Sequence, residues 1–244
     1  MTGPSSDPTL EATRLFRSPL LSTADREALG AIAARPRLSR AGVDLVSEGD
    51  RADHVLLFTQ GWACRYKIAR DGARQIIGLV TPGDIGNLDS FLLDRISFGV
   101  RTLSPAVTVG LPRDKLLALA TDRPGLSRAF AWFAIVENAI LGEWALSLGQ
   151  KSARERVAHL LCEMSARLGG VNGNTAAFEW PMTQQEIADA LGMTAVHLNR
   201  TLRELRSDGL ILVERGRVTV TDMAALCRAG EFDGAYLRAE PVSQ

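Results

Sequence analysis

Residues Thr183 to Ile211, TQQEIADALGMTAVHLNRTLRELRSDGLI, constrain the fold more than any other stretch of this chain. They read as two short helices joined by a tight turn. Thr183 and Glu186 have the spacing of a capping box, in which each side chain satisfies a backbone donor at a helix start. Ile187, Ala190 and Leu191 recur at helical spacing and give one apolar face. Gly192 supplies the dihedrals for a helix end, and Thr194 is placed to cap the next helix. There Leu198, Leu202 and Leu205 form the stripe to be buried, and His197, Asn199, Arg200, Arg203 and Arg206 point elsewhere. In a helix-turn-helix, such a second helix lies in the DNA major groove with its N-terminal residues at base edges.

An ordinary helical hairpin with a solvated charged face gives the same local pattern. The sequence that follows separates the two readings. Asp208-Gly209 is a turn signal, Leu210 to Val213 is an apolar run, and Glu214 to Arg217 forms a polar turn around Gly216. Val218-Thr219-Val220 then returns as a second strand. Helix, turn, helix and a two-stranded hairpin is the order of a winged helix.

At 244 residues, 46% hydrophobic and 23% charged, the composition is globular and the length suits two domains. No apolar stretch is read as approaching the roughly 20 residues needed to cross a bilayer, so no membrane partner is expected. The first residues, MTGPSSDPTLEATR, lack the basic and apolar regions of a secretory signal and read as a loose tail. Cys64, Cys162 and Cys227 are far apart and odd in number. They suggest neither a disulfide framework nor a zinc site, and they fit the cytoplasm. With 28 basic and 28 acidic residues the net charge is zero, which argues against nonspecific coating of nucleic acid. From Thr194 to Arg206, however, three arginines stand against the single acid Glu204, a local positive charge on one helix.

The N-terminal half is punctuated as β-structure. Val55–Phe58, Ala63–Ile68, Gln75–Val80 and Ala106–Leu111 are apolar runs divided by Glu48-Gly49-Asp50, Gln60-Gly61, Asp71-Gly72 and Pro82-Gly83-Asp84, which suggests a small antiparallel barrel or roll. Ser22 and Asp25 suit the start of a short helix before it. Leu126, Phe130, Phe133, Ile140, Trp144 and Leu148 mark a long helix from about Pro124 to Gly149, with Trp132, Val136 and Leu141 off the main stripe. A helix apolar on two sides needs two partners, its own β-domain and, most economically, the same helix of a second chain. Glu137 lies near the stripe, so this is not a clean heptad seam. Ser152 with Glu155 opens another helix, Gly169 to Thr175 is a loop, and Asp222 is placed to cap a last short helix. The fold class is therefore α+β: tail 1–17, β-roll 18–123, long helix 124–149, winged helix-turn-helix 150–236 and tail 237–244.

On these residues, from about Ser18 to Gly230, the chain resembles the cyclic-AMP receptor protein and fumarate–nitrate regulator (Crp/Fnr) family of bacterial transcription regulators. The resemblance implies a cyclic-nucleotide-binding-like β-roll and a homodimer joined through the long helix. It also implies a twofold-symmetric site on double-stranded DNA. The family's base-contacting positions fall on Ala195, Val196, His197, Asn199 and Arg200, with Arg203 on the same helix. Arginine at position 200 pairs with guanine O6 and N7 or clamps a phosphate. Ala195 and Val196 replace polar readers and offer only apolar contact, for instance with a thymine methyl. Thr183, Gln184 and Thr194, at helix starts, suit phosphate contacts.

The resemblance also locates an effector pocket, which departs from the nucleotide-binding pattern. Gly86 and Leu88 match, but Asn87 replaces the glutamate that accepts from the ribose. Ser97 matches, but Ile96 replaces the arginine that pairs with the cyclic phosphate; Arg95 and Arg101 lie nearby. Leu141 and Gly142, at the positions that would meet the purine, lack hydroxyls. A buried phosphate without its arginine carries a large penalty, so tight cyclic-AMP binding is not expected and the effector is left unidentified. No cysteine precedes Cys64 to hold an iron–sulfur cluster, and His54 and His159 are isolated, each read as a structural histidine rather than a haem ligand. A winged helix used for protein contacts is the alternative, and salt dependence separates it from DNA binding. No catalytic signature appears. RNA polymerase enters as a partner only if the protein activates, and no residue pattern marks a surface for it.

Overall fold

The computed structural model describes residues 8–169 and 171–238. It divides into two compact units, one of residues 8–68 with 78–135, the other of 69–77 with 136–238. The expected tail segments 1–7 and 239–244 lie outside the described residues.

The first unit opens with α1 (Pro8–Glu11) and α2 (Thr23–Ile32). Ser22 and Asp25 start α2 as expected, and they do so through a capping box, with the Asp25 carboxylate accepting from Ser22 N at 2.9 Å. Seven strands follow, of which the first four residues of β5 are counted with the second unit: β1 (Arg37–Ser39), β2 (Asp44–Val46), β3 (His54–Gln60), β4 (Ala63–Ile68), β5 (Arg74–Val80), β6 (Gly99–Thr102) and β7 (Ala106–Pro112). They make a three-stranded sheet in the order β1-β7-β3 and a four-stranded sheet in the order β2-β6-β4-β5. The apolar residues of β3 and β7 (Val55, Leu57, Val109 and Leu111) enter one buried cluster with Leu29, Leu116, Leu126 and Phe130. Phe58, Ala63, Val80, Val100 and Ala106 form a second.

Residues 8–17 correct the expected loose tail. Leu10, Leu15 and Phe16 are buried in the main cluster, and Arg14 Nη1 meets the buried Asp84 carboxylate at 3.0 Å. The apolar residues of this segment are too few and too irregularly spaced to show a period.

After α3 (Arg113–Asp122), α4 (Pro124–Gln150) runs through both units as a single helix of 27 residues. Its N-terminal half buries Leu126, Ala129, Phe130 and Phe133, and the Phe130 ring stacks on Phe91 at 4.5 Å. Its C-terminal half buries Val136, Ile140 and Trp144. The opposite side carries Ala131, Ala134, Ile135, Asn138, Leu141, Gly142, Ala145 and Leu146, all exposed. These recur at the three- and four-residue spacing of one helical stripe, with Glu137 beside it. By length and composition α4 does qualify as a membrane span, which corrects the sequence reading. Arg128, Glu137 and Glu143 interrupt it, and one side is packed in cores as described.

The second unit holds α5 (Ala153–Leu168), β8 (Val171–Asn172), β9 (Thr175–Glu179), α6 (Gln184–Leu191), α7 (Ala195–Ser207), β10 (Ile211–Glu214), β11 (Arg217–Val220) and α8 (Met223–Gly230). The expected two-stranded wing is part of a four-stranded sheet, ordered β10-β11-β9-β8. The Gly/Asn-rich segment read as a loop contributes β8 and the start of β9. Beneath the sheet, α5 is buried from Val157 to Ser165.

A polar network inside this unit corrects the view of His159 as isolated. The Lys151 ammonium lies 2.8 Å from His159 Nδ1 and donates to Gly230 O at 2.9 Å, so it caps the end of α8. His159 Nε2 lies 3.2 Å from the Tyr236 hydroxyl, which donates to Glu163 at 3.2 Å. Trp144 Nε1 and Arg167 complete the shell of the fully buried Glu163 carboxylate at 2.9 and 3.1 Å. Burial, with the Lys151 charge second, holds the His159 imidazole below its ordinary value. Burial and the Glu163 charge push the Tyr236 phenol up.

Candidate nucleic-acid interface

The helix-turn-helix is built by its caps. Thr183 Oγ1 accepts from Glu186 N at 3.2 Å, and the Glu186 carboxylate accepts from Thr183 N at 2.7 Å. Ile187, Ala188, Ala190 and Leu191 bury one side of α6. Gly192 ends the helix in the left-handed region, φ 58°, where a side chain would be strained. Thr194 then starts α7 by accepting from His197 N at 3.2 Å. Leu198, Leu202 and Leu205 are buried as expected, with Thr201, whose hydroxyl donates to His197 O at 3.1 Å.

The residues singled out from the sequence lie in three kinds of environment. Val196, Arg200 and Arg203 are exposed and share one face of α7, and Thr183, Gln184 and Thr194 are exposed at the two helix starts. Ala195, His197 and Asn199 are half-buried. Asn199 Nδ2 donates to Gln184 Oε1 at 2.6 Å, so two of the singled-out residues hold each other across the helix pair. That bond leaves the Asn199 carbonyl as an acceptor and the Gln184 amide as a donor on the outer face. Arg200 Nε stands 3.8 Å from Glu204, a loose exposed pair that is worth little and does not fix the guanidinium.

The wing adds two residues that sequence reading did not single out. Arg215 and Arg217 are exposed at the β10–β11 turn, where Arg215 itself adopts φ 46°. Trp180 N donates to Gly216 O at 2.7 Å and pins that turn to the strand entry. The sequence signal was present, two arginines around a turn glycine, but a polar turn accounts for it equally well.

In the first unit, the residues at the expected effector positions are absorbed by the fold. Asn87 is fully buried: its Oδ1 accepts from Leu56 N at 2.8 Å and its Nδ2 donates to His54 O at 2.9 Å. A carboxylate there could not donate the second bond. A Cβ at Gly86 would lie 2.6 Å from the Phe58 ring, so the backbone is packed tight against β3. Leu88 packs against the main cluster and Ile96 is buried. Ser97 gives both its amide and its hydroxyl to Asp89, each at 2.8 Å.

Arg95 donates to Gly49 O at 2.8 Å and Arg101 to Asp44 at 2.7 Å, so both nearby arginines are engaged elsewhere. Arg65, absent from the sequence reading, is buried between the strands. It donates to Gly86 O at 2.9 Å and Ile85 O at 2.6 Å, with its guanidinium over the Phe98 ring. Leu141 and Gly142 lie exposed on α4 in the second unit. Cys64 is a fully buried core residue, and the three cysteines are free thiols. Among the described residues no group of three or more His, Cys, Asp or Glu is placed to hold a metal ion.

Comparison with known proteins bears on both units. Residues 36–123 match the cyclic nucleotide-binding domain, and residues 155–229 match the Crp-like helix-turn-helix domain. The chain is 34% identical over 178 residues to the transcriptional activatory protein AadR of Rhodopseudomonas palustris, covering 73% of this chain and 74% of that one. It is 32% identical over 195 residues to the nitrogen fixation regulation protein FixK of Azorhizobium caulinodans, covering 79% and 78%. Among solved structures it is similar to FixK2 from Bradyrhizobium japonicum, with a TM-score of 0.73 at 25% identity, over 80% of this chain and 96% of that chain.

Proposed function

The chain belongs to the Crp/Fnr family of transcription regulators, and from that premise we propose that it acts in the cytoplasm as a homodimer that reads a twofold-symmetric DNA site without a cyclic nucleotide. The observation that carries the reading is the outer face of α7. Val196, Arg200 and Arg203 stand exposed on a helix whose other side is locked into a core. Thr183, Gln184 and Thr194 at the starts of α6 and α7, and Arg215 and Arg217 at the wing turn, are exposed as well.

Each part has a role that follows from its chemistry. Arg200 is the guanine reader, and Thr183, Thr194 and the Gln184 amide take phosphate contacts that set the register. Arg203, Arg215 and Arg217 add positive charge along the backbone path. The exposed stripe of α4 from Ala131 to Leu146 is the seam for the second copy: apolar and small residues there gain by leaving water, and a twofold pairing of α4 gives the DNA site its symmetry. On this reading the β-roll needs no nucleotide: Asn87 and Arg65 are buried on backbone partners of the roll itself, and Ile96 is buried where a phosphate-binding arginine is expected.

The test is Arg200→Ala against a selected duplex and a random one. Loss of about 1–3 kcal/mol on the selected site, with the random duplex little changed, is expected. Equal discrimination by variant and parent removes Arg200 from base reading.

A further inference from the structure

We propose that Val196 reads the 5-methyl group of a pyrimidine in the major groove, and so fixes a thymine in each half-site within about two base steps of the guanine held by Arg200. The inference rests on the reading that α7 enters the groove, and it names the chemistry that α7 selects there.

Val196 is 81% exposed, the largest value among the exposed large hydrophobic residues of the described chain. It lies in the first turn of α7, where it contributes nothing to the core: that role belongs to Leu198, Leu202 and Leu205. Nothing in the packing of the second unit accounts for a bare isopropyl group at this place. Its neighbours on the same face are Arg200, one turn on, and Arg203, so an apolar knob sits at the head of a basic stripe. A β-branched residue in a helix is confined to essentially one side-chain rotamer, so the knob has a fixed shape and loses little entropy on contact.

A groove of base edges offers donors and acceptors nearly everywhere, and the thymine methyl is its one apolar feature among the four bases. Valine can neither donate to guanine or adenine acceptors nor accept from cytosine N4, so placing it against those edges leaves polar groups dry and unpaired. Against a methyl it leaves none. Four residues of helix span about 6 Å and a base step about 3.4 Å, which sets the distance from the guanine. The same methyl is presented by 5-methylcytosine.

The experiment uses the full-length protein and its selected duplex, with deoxyuridine replacing thymine one position at a time, symmetrically in both half-sites. At one position, loss of the methyl is expected to weaken binding about three- to tenfold for the parent protein and to leave Val196→Ser unaffected. A second arm places 5-methylcytosine paired with guanine at that position. Binding is expected to recover part of the loss relative to unmethylated cytosine in the parent and not in Val196→Ser. Tolerance of every uridine by the parent, or equal sensitivity in parent and variant, overturns the assignment while leaving DNA reading by Arg200 standing. Failure to select any site overturns the DNA reading itself. Because Val196 is outside the core, thermal unfolding of Val196→Ser is expected to match the parent, which separates lost contact from lost fold.

Discussion

Lys151 Nζ and His159 Nδ1 lie 2.8 Å apart in the interior of the second unit. A lysine ammonium that donates to an imidazole nitrogen requires that nitrogen to carry a lone pair, so His159 is neutral in the native protein. Protonating it would set two positive charges against each other, with Gly230 O the one carbonyl facing both. Glu163, Glu143, Tyr236, Arg167 and the Cys162–Cys227 pair are other titratable groups of this neighbourhood.

Stability is therefore expected to fall on mild acidification. The folded value of His159 is depressed below its ordinary 6.5, so the unfolded chain takes up the proton first. The full contribution is present above 6.5 and is lost as pH falls from there through the folded value. Urea unfolding between pH 7.5 and 5.5 should show a declining free energy, and His159→Gln should flatten the decline. A parent curve that is flat or rises toward acid contradicts the assignment of a neutral His159.

Restoring a glutamate at position 87 is expected to damage the fold. In Asn87→Glu the carboxylate enters a fully buried site, keeps an acceptor for Leu56 N and loses the donor to His54 O. The cost is about 3 kcal/mol, the range for an unpaired buried polar group or charge. It is read as a lowered urea midpoint with or without cyclic AMP. A variant of unchanged stability that gains nucleotide binding would show that Asn87 faces a pocket.

The α4 stripe gives a separate expectation. Ile135 is 65% exposed in the single chain, so Ile135→Arg should leave the monomer folded. A charge of the same sign from each copy would meet across a twofold seam, and sedimentation should move from dimer to monomer. Affinity for a symmetric site should fall with it. A variant that stays dimeric places the seam elsewhere.

How much of this was legible in the sequence depended on the range of the interaction. The capping boxes at Thr183 and Ser152 and the helix start at Ser22 are local, each made by residues three apart, and each is legible in the sequence. The helix-turn-helix and the long helix are periodic and were read for the same reason. Strands β1, β2 and β6, of three or four residues, are too short to display alternation. β9 was missed because its near partner β8 has only two residues and its longer pairing, with β11, lies far along the chain. Arg65 follows Ala63 and Cys64 in a strand buried on both faces at that end, so its inward direction is invisible to a period of two. The Lys151 network depends on contacts between residues as many as 80 apart, which no window on the sequence can hold.

The central claim, DNA reading by an effector-free dimer, is met most directly by selecting binding sites from random duplex DNA with purified protein, once alone and once with cyclic AMP. The expected result is a twofold-symmetric site enriched by the protein alone, with the same sequence and the same enrichment when cyclic AMP is present. A symmetric site that appears only with cyclic AMP would contradict it and would mean that the β-roll opens around a nucleotide despite Asn87, Ile96 and Arg65.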